Sequence, residues 1–173
     1  MSSQWGRNSA KPVEEPVDPA LFRRVCGRFA TGITVVTTRT ADGRPHGLTI
    51  NSFSSVSLEP PLILVSISVL NPQLELFTVG KSFAVNVLSD QQEEISRRFS
   101  GLADERFDGV PWEAGLSGGA PLLAGALAWL ECTVERGVEA GDHTILIGKV
   151  TAAHADYGHP LVFFGGSYRQ LSV

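Results

Sequence analysis

Read for alternation and periodicity, the chain breaks into short apolar runs separated by Gly, Pro and small polar residues. Asp18-Pro19 opens the first segment. An Asp suited to capping and a Pro suited to the first turn predict a helix, with Phe22, Val25, Cys26 and Phe29 on one stripe and Gly32 ending it. Ile33–Thr38 is rich in β-branched residues and predicts a strand. Ala41-Asp42-Gly43-Arg44 turns the chain into a return strand, Pro45 to Ile50, whose proline suits a sheet edge or a strand start. A small-polar segment, Thr49 to Ser55, leads into strand candidates Val56–Leu58 and Leu62–Ser68, which flank Glu59-Pro60-Pro61.

Further on, Asn71-Pro72 predicts a helix carrying Leu74, Leu76 and Phe77 and stopping near Gly80. Ser82–Leu88 reads as a strand. Ser89 and Gln92 have capping-box spacing for a helix over Asp90–Phe99, closed by Gly101. Leu102–Gly125, with Asp104, Arg106 and Phe107 near its start, reads as a long Gly-rich loop of functional or interface use. Strands follow at Leu127–Glu135, Thr144–Ala153 and Leu161–Phe164, and the tail Gly165–Arg169 turns away. At least six strands joined as hairpins, without regular βαβ alternation, argue for a mostly antiparallel closed barrel with helical appendages. A small barrel fills its own interior, so a large ligand must lie outside it.

Composition narrows the function classes. The 173 residues, 43% hydrophobic and 18% charged, suit one globular domain, here assigned to 18–173 behind a mobile polar arm, 1–17. A formal net charge of −4 without a basic block argues against nucleic acid, unless a local patch is hidden in the total. No apolar run is long enough for a bilayer, and the N-terminus lacks a secretory core. Cys26 and Cys132 lie in apolar contexts and read as two buried free thiols, consistent with a cytoplasmic protein.

Common catalytic signatures are absent. Gly115-Leu116-Ser117-Gly118-Gly119 has the wrong spacing for a dinucleotide fingerprint. His46, His143, His154 and His159 show no zinc-ligand spacing, so no metal is expected. What remains is a site made of backbone and small polar groups. Taken alone, Thr49–Ser55 fits a solvated loop as well as a ligand contact. Likewise Gly141-Asp142 fits a hairpin turn, Asn86 a water-facing strand residue, and Ser167-Tyr168-Arg169 a plain strand end.

The order of segments adds to this. Gly47–Ser68, the stretch Arg28-Phe29-Ala30-Thr31-Gly32-Ile33-Thr34-Val35-Val36-Thr37, and Gly141-Asp142-His143 together resemble the short-chain flavin reductases, from about Pro19 to Arg169. The resemblance implies a six-stranded antiparallel split β-barrel that forms a homodimer. It implies FMN or FAD in a groove near the dimer interface, NADH or NADPH as reductant, and a separate flavin-dependent monooxygenase as partner. Flavin contact falls to Thr49, Ile50, Asn51, Ser52, Ser54 and Ser55. The ribityl chain and phosphate fall to Ser66, Ile67 and Ser68 with the helix start at Pro72, and Asn86 lies in a neighbouring strand. His143 would orient the nicotinamide, and Tyr168 and Arg169 would cover the dinucleotide. Two departures stand out: Val69 and Gln73 occupy places where many relatives have a cation and a hydroxyl. Phosphate contact would then be shared with Arg97 or Arg98, and a weaker grip suits a flavin that diffuses away. The alternatives are a flavoprotein that retains its flavin and a non-catalytic flavin-binding protein on the same fold.

Overall fold

The computed structural model describes residues 16–101 and 106–171. The expected arm lies outside these apart from Pro16 and Val17, as does Asp104. Helix α1 (Pro19–Cys26) begins as its capping signal requires: the Asp18 carboxylate accepts from the Ala20 and Leu21 amides at 3.2 and 3.1 Å. It ends at Gly27, five residues before Gly32, because the Gly27 amide closes onto Arg23 O and the chain then leaves to pair as a strand. Its apolar stripe has the expected spacing but does not enter the core. Leu21, Phe22, Val25 and Phe29 are 44%, 61%, 62% and 77% exposed. Cys26 is exposed as well, contrary to the expected burial. Cys132 is buried, and that burial, helped by Glu131, pushes its thiol up to about 12.

The strands follow in chain order as β1 (Thr31–Gly32), β2 (Thr34–Arg39), β3 (Pro45–Ile50), β4 (Ser54–Leu58), β5 (Pro61–Ser68) and β6 (Ser82–Val87). After α2 (Glu93–Ser100) come β7 (Trp112–Ala114), β8 (Pro121–Leu123), β9 (Ala128–Ala140), β10 (His143–Ala155), β11 (Val162–Phe164) and β12 (Ser167–Arg169). Seven strands form one antiparallel sheet in the order β3-β2-β6-β9-β10-β5-β4. Inward residues of these strands, among them Val36, Val65, Ile67, Phe83, Val85 and Leu146, make the main core. A second core joins Val35, Leu88 and Phe99 beneath α2.

The hydrogen-bonded ladder is open at β3 and β4; it does not close as expected. Past Ile50 the chain bends away, and one side chain stands in for the missing ladder. The Ser52 hydroxyl donates to Ser66 O at 2.9 Å and accepts from Ser66 N at 3.0 Å. Pro45 starts β3 on the sheet edge, where a missing N–H costs no ladder bond.

Other expectations need correcting. Asn71–Gly80 holds one 3₁₀ turn, Leu74–Leu76, in place of a helix. Buried Phe77 anchors it to the core, and the chain returns at once to the sheet. The Gly-rich segment carries the β7–β8 hairpin, and its Leu122 and Leu123 are 5% and 4% exposed within this chain, so they supply no surface for a partner. Next to them Glu131, 2% exposed, accepts from the Leu116 and Ser117 amides at 3.0 and 2.6 Å, so the Gly115–Gly119 loop wraps a buried carboxylate. The tail folds back as the β11–β12 hairpin. Strand β9 runs past the core to Ala140 as an exposed edge, still paired with β10, which β5 covers on its other side, and the β9–β10 ladder has irregularities at Ile147/Gly148 and Val150/Ala152. No helix among the described residues is long and apolar enough to cross a membrane.

Candidate active site

The seam held by Ser52 is also where the backbone is most open. On one side of β5, the β4 ladder covers Pro61 to Leu64 and goes no further. Val65–Ser68 therefore have no strand partner there, while β10 covers their other side. Across the seam, β3 is a sheet edge. Between these edges lies a groove of about 310 Å³, lined by Leu48–Ser52, Ser66–Ser68, Asn71 and His143.

The pleat decides what each residue offers. Along β5 the residues alternate, with Ile63, Val65 and Ile67 buried and Ser66 and Ser68 half-buried on the other face. Ile67, 1% exposed, turns its side chain into the core and its main chain toward β10, so the groove-side main chain of this stretch belongs to Ser66 and Ser68. Thr49 uses its hydroxyl on α2, donating to Ser96 O at 2.7 Å. The Ser68 hydroxyl accepts from Leu70 N, and the Asn71 carbonyl oxygen accepts from Gln73 N. No hydrogen bond within the described residues engages the Asn51 amide or the Ser66 hydroxyl, so both are available to a ligand. Helix α2 lies close against β3: a Cβ on Gly47 would come 2.9 Å from the Phe99 ring, so only glycine fits there.

His143 stands at the rim because of the β9–β10 turn. Gly141 has φ 65°, a left-handed conformation that glycine adopts without a steric cost. That turn sets His143 opposite Ser68 in the ladder. Its Nδ1 lies 2.7 Å from Asp142 Oδ1. The Asp142 carboxyl is held below its ordinary value, first by this hydrogen bond and its charge, with a smaller Coulombic contribution from Arg23. With Nδ1–H donating to Asp142, Nε2 is left as the free acceptor.

A second recess, about 150 Å³, shares Thr49, Ile50 and Asn51 with the groove and adds Ile33, Ser100, Phe163 and Tyr168. Tyr168 is fixed by α2. Its hydroxyl lies 2.8 Å from Ser96 Oγ, the Arg97 guanidinium sits 4.7 Å from its ring centroid, and Phe163 packs edge-on at 5.5 Å.

The fold thus brings Thr49–Ser52, Ser66–Ser68 and His143 together, with Tyr168 beside them. Ser54 and Ser55 lie exposed on β4 outside the groove, and Arg169 lines neither recess. Asn86 is fully buried and engaged elsewhere. Its Nδ2 donates to Val35 O, Thr37 Oγ1 and Pro121 O, and its Oδ1 accepts from Leu123 N at 2.8 Å. The expected helix N-terminus at Pro72 is absent. Both cations considered for phosphate are occupied: Arg97 pairs with Glu93 at 2.7 Å and Arg98 donates to Asp108 O at 2.6 Å. Sequence reasoning missed Asn71 and Phe163 as lining residues. The Asn71-Pro72 pair signals only a cap, and nothing local marks which face of β11 Phe163 occupies.

Residues 26–172 match the flavin reductase like domain family. The chain is 43% identical over 154 residues to a probable flavin reductase of Rhizobium meliloti (strain 1021), covering 89% of this chain and 49% of that protein, so it spans about half that relative's length. The solved structure of the Streptomyces globisporus C-1027 NADH:FAD oxidoreductase, in complex with NAD and FAD fragments, superposes with a TM-score of 0.84 at 42% identity, covering 91% of this chain and 97% of that one. The styrene monooxygenase flavin reductase of Pseudomonas putida S12 superposes with a TM-score of 0.78 at 39% identity, covering 88% and 97%.

Proposed function

Because this chain belongs to the flavin reductase like domain family, we propose that it is an NAD(P)H:flavin oxidoreductase supplying reduced flavin, FMN or FAD, to a separate monooxygenase. One observation carries the reading: the groove between β3 and β5, where two strand edges without partners face each other beside His143. Such edges offer N–H and C=O groups in the plane of the backbone, the pattern a flat heterocycle with ring carbonyls and nitrogens needs. When both ligands are bound, the nicotinamide passes a hydride from C4 to flavin N5, so that NAD(P)H, a proton and oxidised flavin become NAD(P)⁺ and reduced flavin.

The chain's own groups bind and orient. Main chain at Thr49–Ser52 and Ser66–Ser68, with the Asn51 amide and Ser66 hydroxyl, holds the flavin ring. His143, fixed by Asp142, presents Nε2 to the carboxamide of the nicotinamide. Tyr168 and Phe163 line the adjoining recess for the rest of the dinucleotide. Groove lining without Lys or Arg supports a flavin held loosely enough to leave. The same reading takes the open seven-stranded sheet, stitched at Ser52, as a six-stranded split barrel with an added edge strand. It makes the protein a homodimer, with the exposed α1 stripe as the apolar surface a second copy would cover. Two free cysteines support a cytoplasmic setting.

Steady-state NADH and NADPH oxidation, with FMN, FAD and riboflavin added in turn, tests the proposal. NADH or NADPH consumption that depends on added flavin is expected, from a protein that loses its colour on dialysis. No flavin-dependent consumption with either nicotinamide would end the reading.

A further inference from the structure

Helix α1 has two faces, and neither is buried. At about 100° per residue, Leu21, Phe22, Val25 and Cys26 share one side, while Arg23, Arg24 and Gly27 share the other. The cationic side faces a cleft of about 320 Å³ lined by Arg23, Arg24, Gly27, Arg28, Gly165 and Gly166. The floor is set by a backbone bond: Gly165 N donates to Gly27 O at 2.9 Å, pinning the end of α1 to the β11–β12 turn. No ion pair among the described residues involves Arg23, Arg24 or Arg28. Three guanidinium groups lining one cleft, none of them in an ion pair among the described residues, repel one another. In a chain of net charge −4 they form a local positive field that an anion would relieve.

The cleft is joined to the second recess by the β11–β12 hairpin. Gly165 and Gly166 form the tip of the hairpin that carries Phe163 and Tyr168 into the second recess. Arg23 also makes a small contribution to holding the carboxyl of Asp142, next to His143, below its ordinary value. The groove itself offers no Lys or Arg, and Arg97 and Arg98 are already engaged.

We propose that Arg23, Arg24 and Arg28 form a phosphate-binding subsite that takes a phosphate of the flavin nucleotide or of the nicotinamide dinucleotide. This rests on the reductase reading for the identity of the ligands, but not for the existence of the anion site. Arginine suits such a subsite, because its planar fork binds phosphate oxygens in pairs and keeps its charge at any working pH. The phosphate has two sources, the flavin's ribityl phosphate or the pyrophosphate of the nicotinamide dinucleotide.

Calorimetric titration of the full chain with riboflavin, FMN and ADP-ribose, compared with an Arg23→Gln/Arg24→Gln/Arg28→Gln variant, tests this. All three side chains are exposed, and a thermal melt checks that the variant folds. Affinity for at least one phosphate-bearing ligand is expected to fall at least tenfold, about 1.4 kcal/mol, with riboflavin affinity within twofold. A loss confined to FMN assigns the flavin phosphate. A loss for ADP-ribose with FMN unchanged assigns the nicotinamide dinucleotide. The corresponding triple Lys variant should keep much of the lost affinity, and wild-type binding should weaken with added salt more steeply than that of the Gln variant. Unchanged affinity for both FMN and ADP-ribose, an equal loss for riboflavin, or no binding of either phosphate ligand to the wild type would each overturn the subsite. A failed reductase assay would show separately, as absence of turnover by a protein that still binds these ligands.

Discussion

Asn86 separates a ligand contact from a structural role more sharply than any other residue in the chain. Replacing it with Ala removes a carboxamide that is fully buried and makes four hydrogen bonds. The partners do not suffer equally. Pro121 O keeps the Thr37 hydroxyl, which donates to it at 2.5 Å. The Leu123 amide loses its acceptor in a place where no water reaches, at a cost of about 1–3 kcal/mol. The small cavity left behind adds about 1 kcal/mol. The sum, about 2–4 kcal/mol, lowers Tm by about 4–16 °C for a domain of this size. Circular dichroism melts give that number, and an FMN titration well below both transitions gives the affinity, expected to be unchanged. An unaltered Tm together with weakened FMN binding would refute the structural reasoning and return Asn86 to the ligand.

Ser52→Ala removes both bonds across the seam and should cost about 1–3 kcal/mol in urea unfolding; an unchanged midpoint would show that the seam is held by something else. His143→Ala should lower the NADH specificity constant about 2- to 13-fold, the loss of one aligned hydrogen bond, with only the small drop in Tm that Asp142→Asn also shows; a lower Tm with unaltered kinetics would make His143 a turn residue only. The Asp142 carboxyl is held below the ordinary carboxylate value of 3.8, so the contact it makes stabilises the fold above about pH 4 and is lost as acid titrates it through its lower folded value. The Tm difference between wild type and Asp142→Asn should accordingly be present above that pH and shrink as acid titrates the carboxylate below it; a difference that grew on going from about pH 5 to about pH 3 would reverse the sign.

Signals confined to a few residues were legible in the sequence. The Asp18 cap and the Ser89–Gln92 capping box appear as expected, because each needs only residues two or three apart. The Asp42-Gly43 hairpin and the edge position of Pro45 follow from local sterics. The groove was legible as a segment, since Thr49–Ser52 and Ser66–Ser68 combine small polar side chains with strand ends. Features decided by distant partners were not. Alternation cannot tell which side of a strand is wet, so Asn86 could not be assigned without Pro121 and Leu123. The α1 stripe has helical spacing, but spacing does not say whether a core or a second molecule will cover it. The β7–β8 hairpin was hidden among glycines that also serve the Glu131 loop. The far end of β9 was missed because Glu135 and Arg136 break the apolar pattern where that strand leaves the core yet remains paired with β10.

The groove at the seam is made largely of main chain, and that limits what side-chain substitution can report about it. Truncating Ile67 would disturb the core without touching the groove, because its main chain faces β10. Thr49 and Ser68 would register mainly through their contacts with α2 and the following turn. An alanine survey would accordingly report ligand contact mainly through Asn51 and Ser66 and stay silent on the amides and carbonyls beside them. Chemistry that edits the backbone itself, such as an amide-to-ester replacement at Ser68, is the means of reading this surface, whereas the Ser66 amide, bonded to Ser52, would report the seam. The same property lets side chains along β3 and β5 drift over evolutionary time while the recognition surface stays constant.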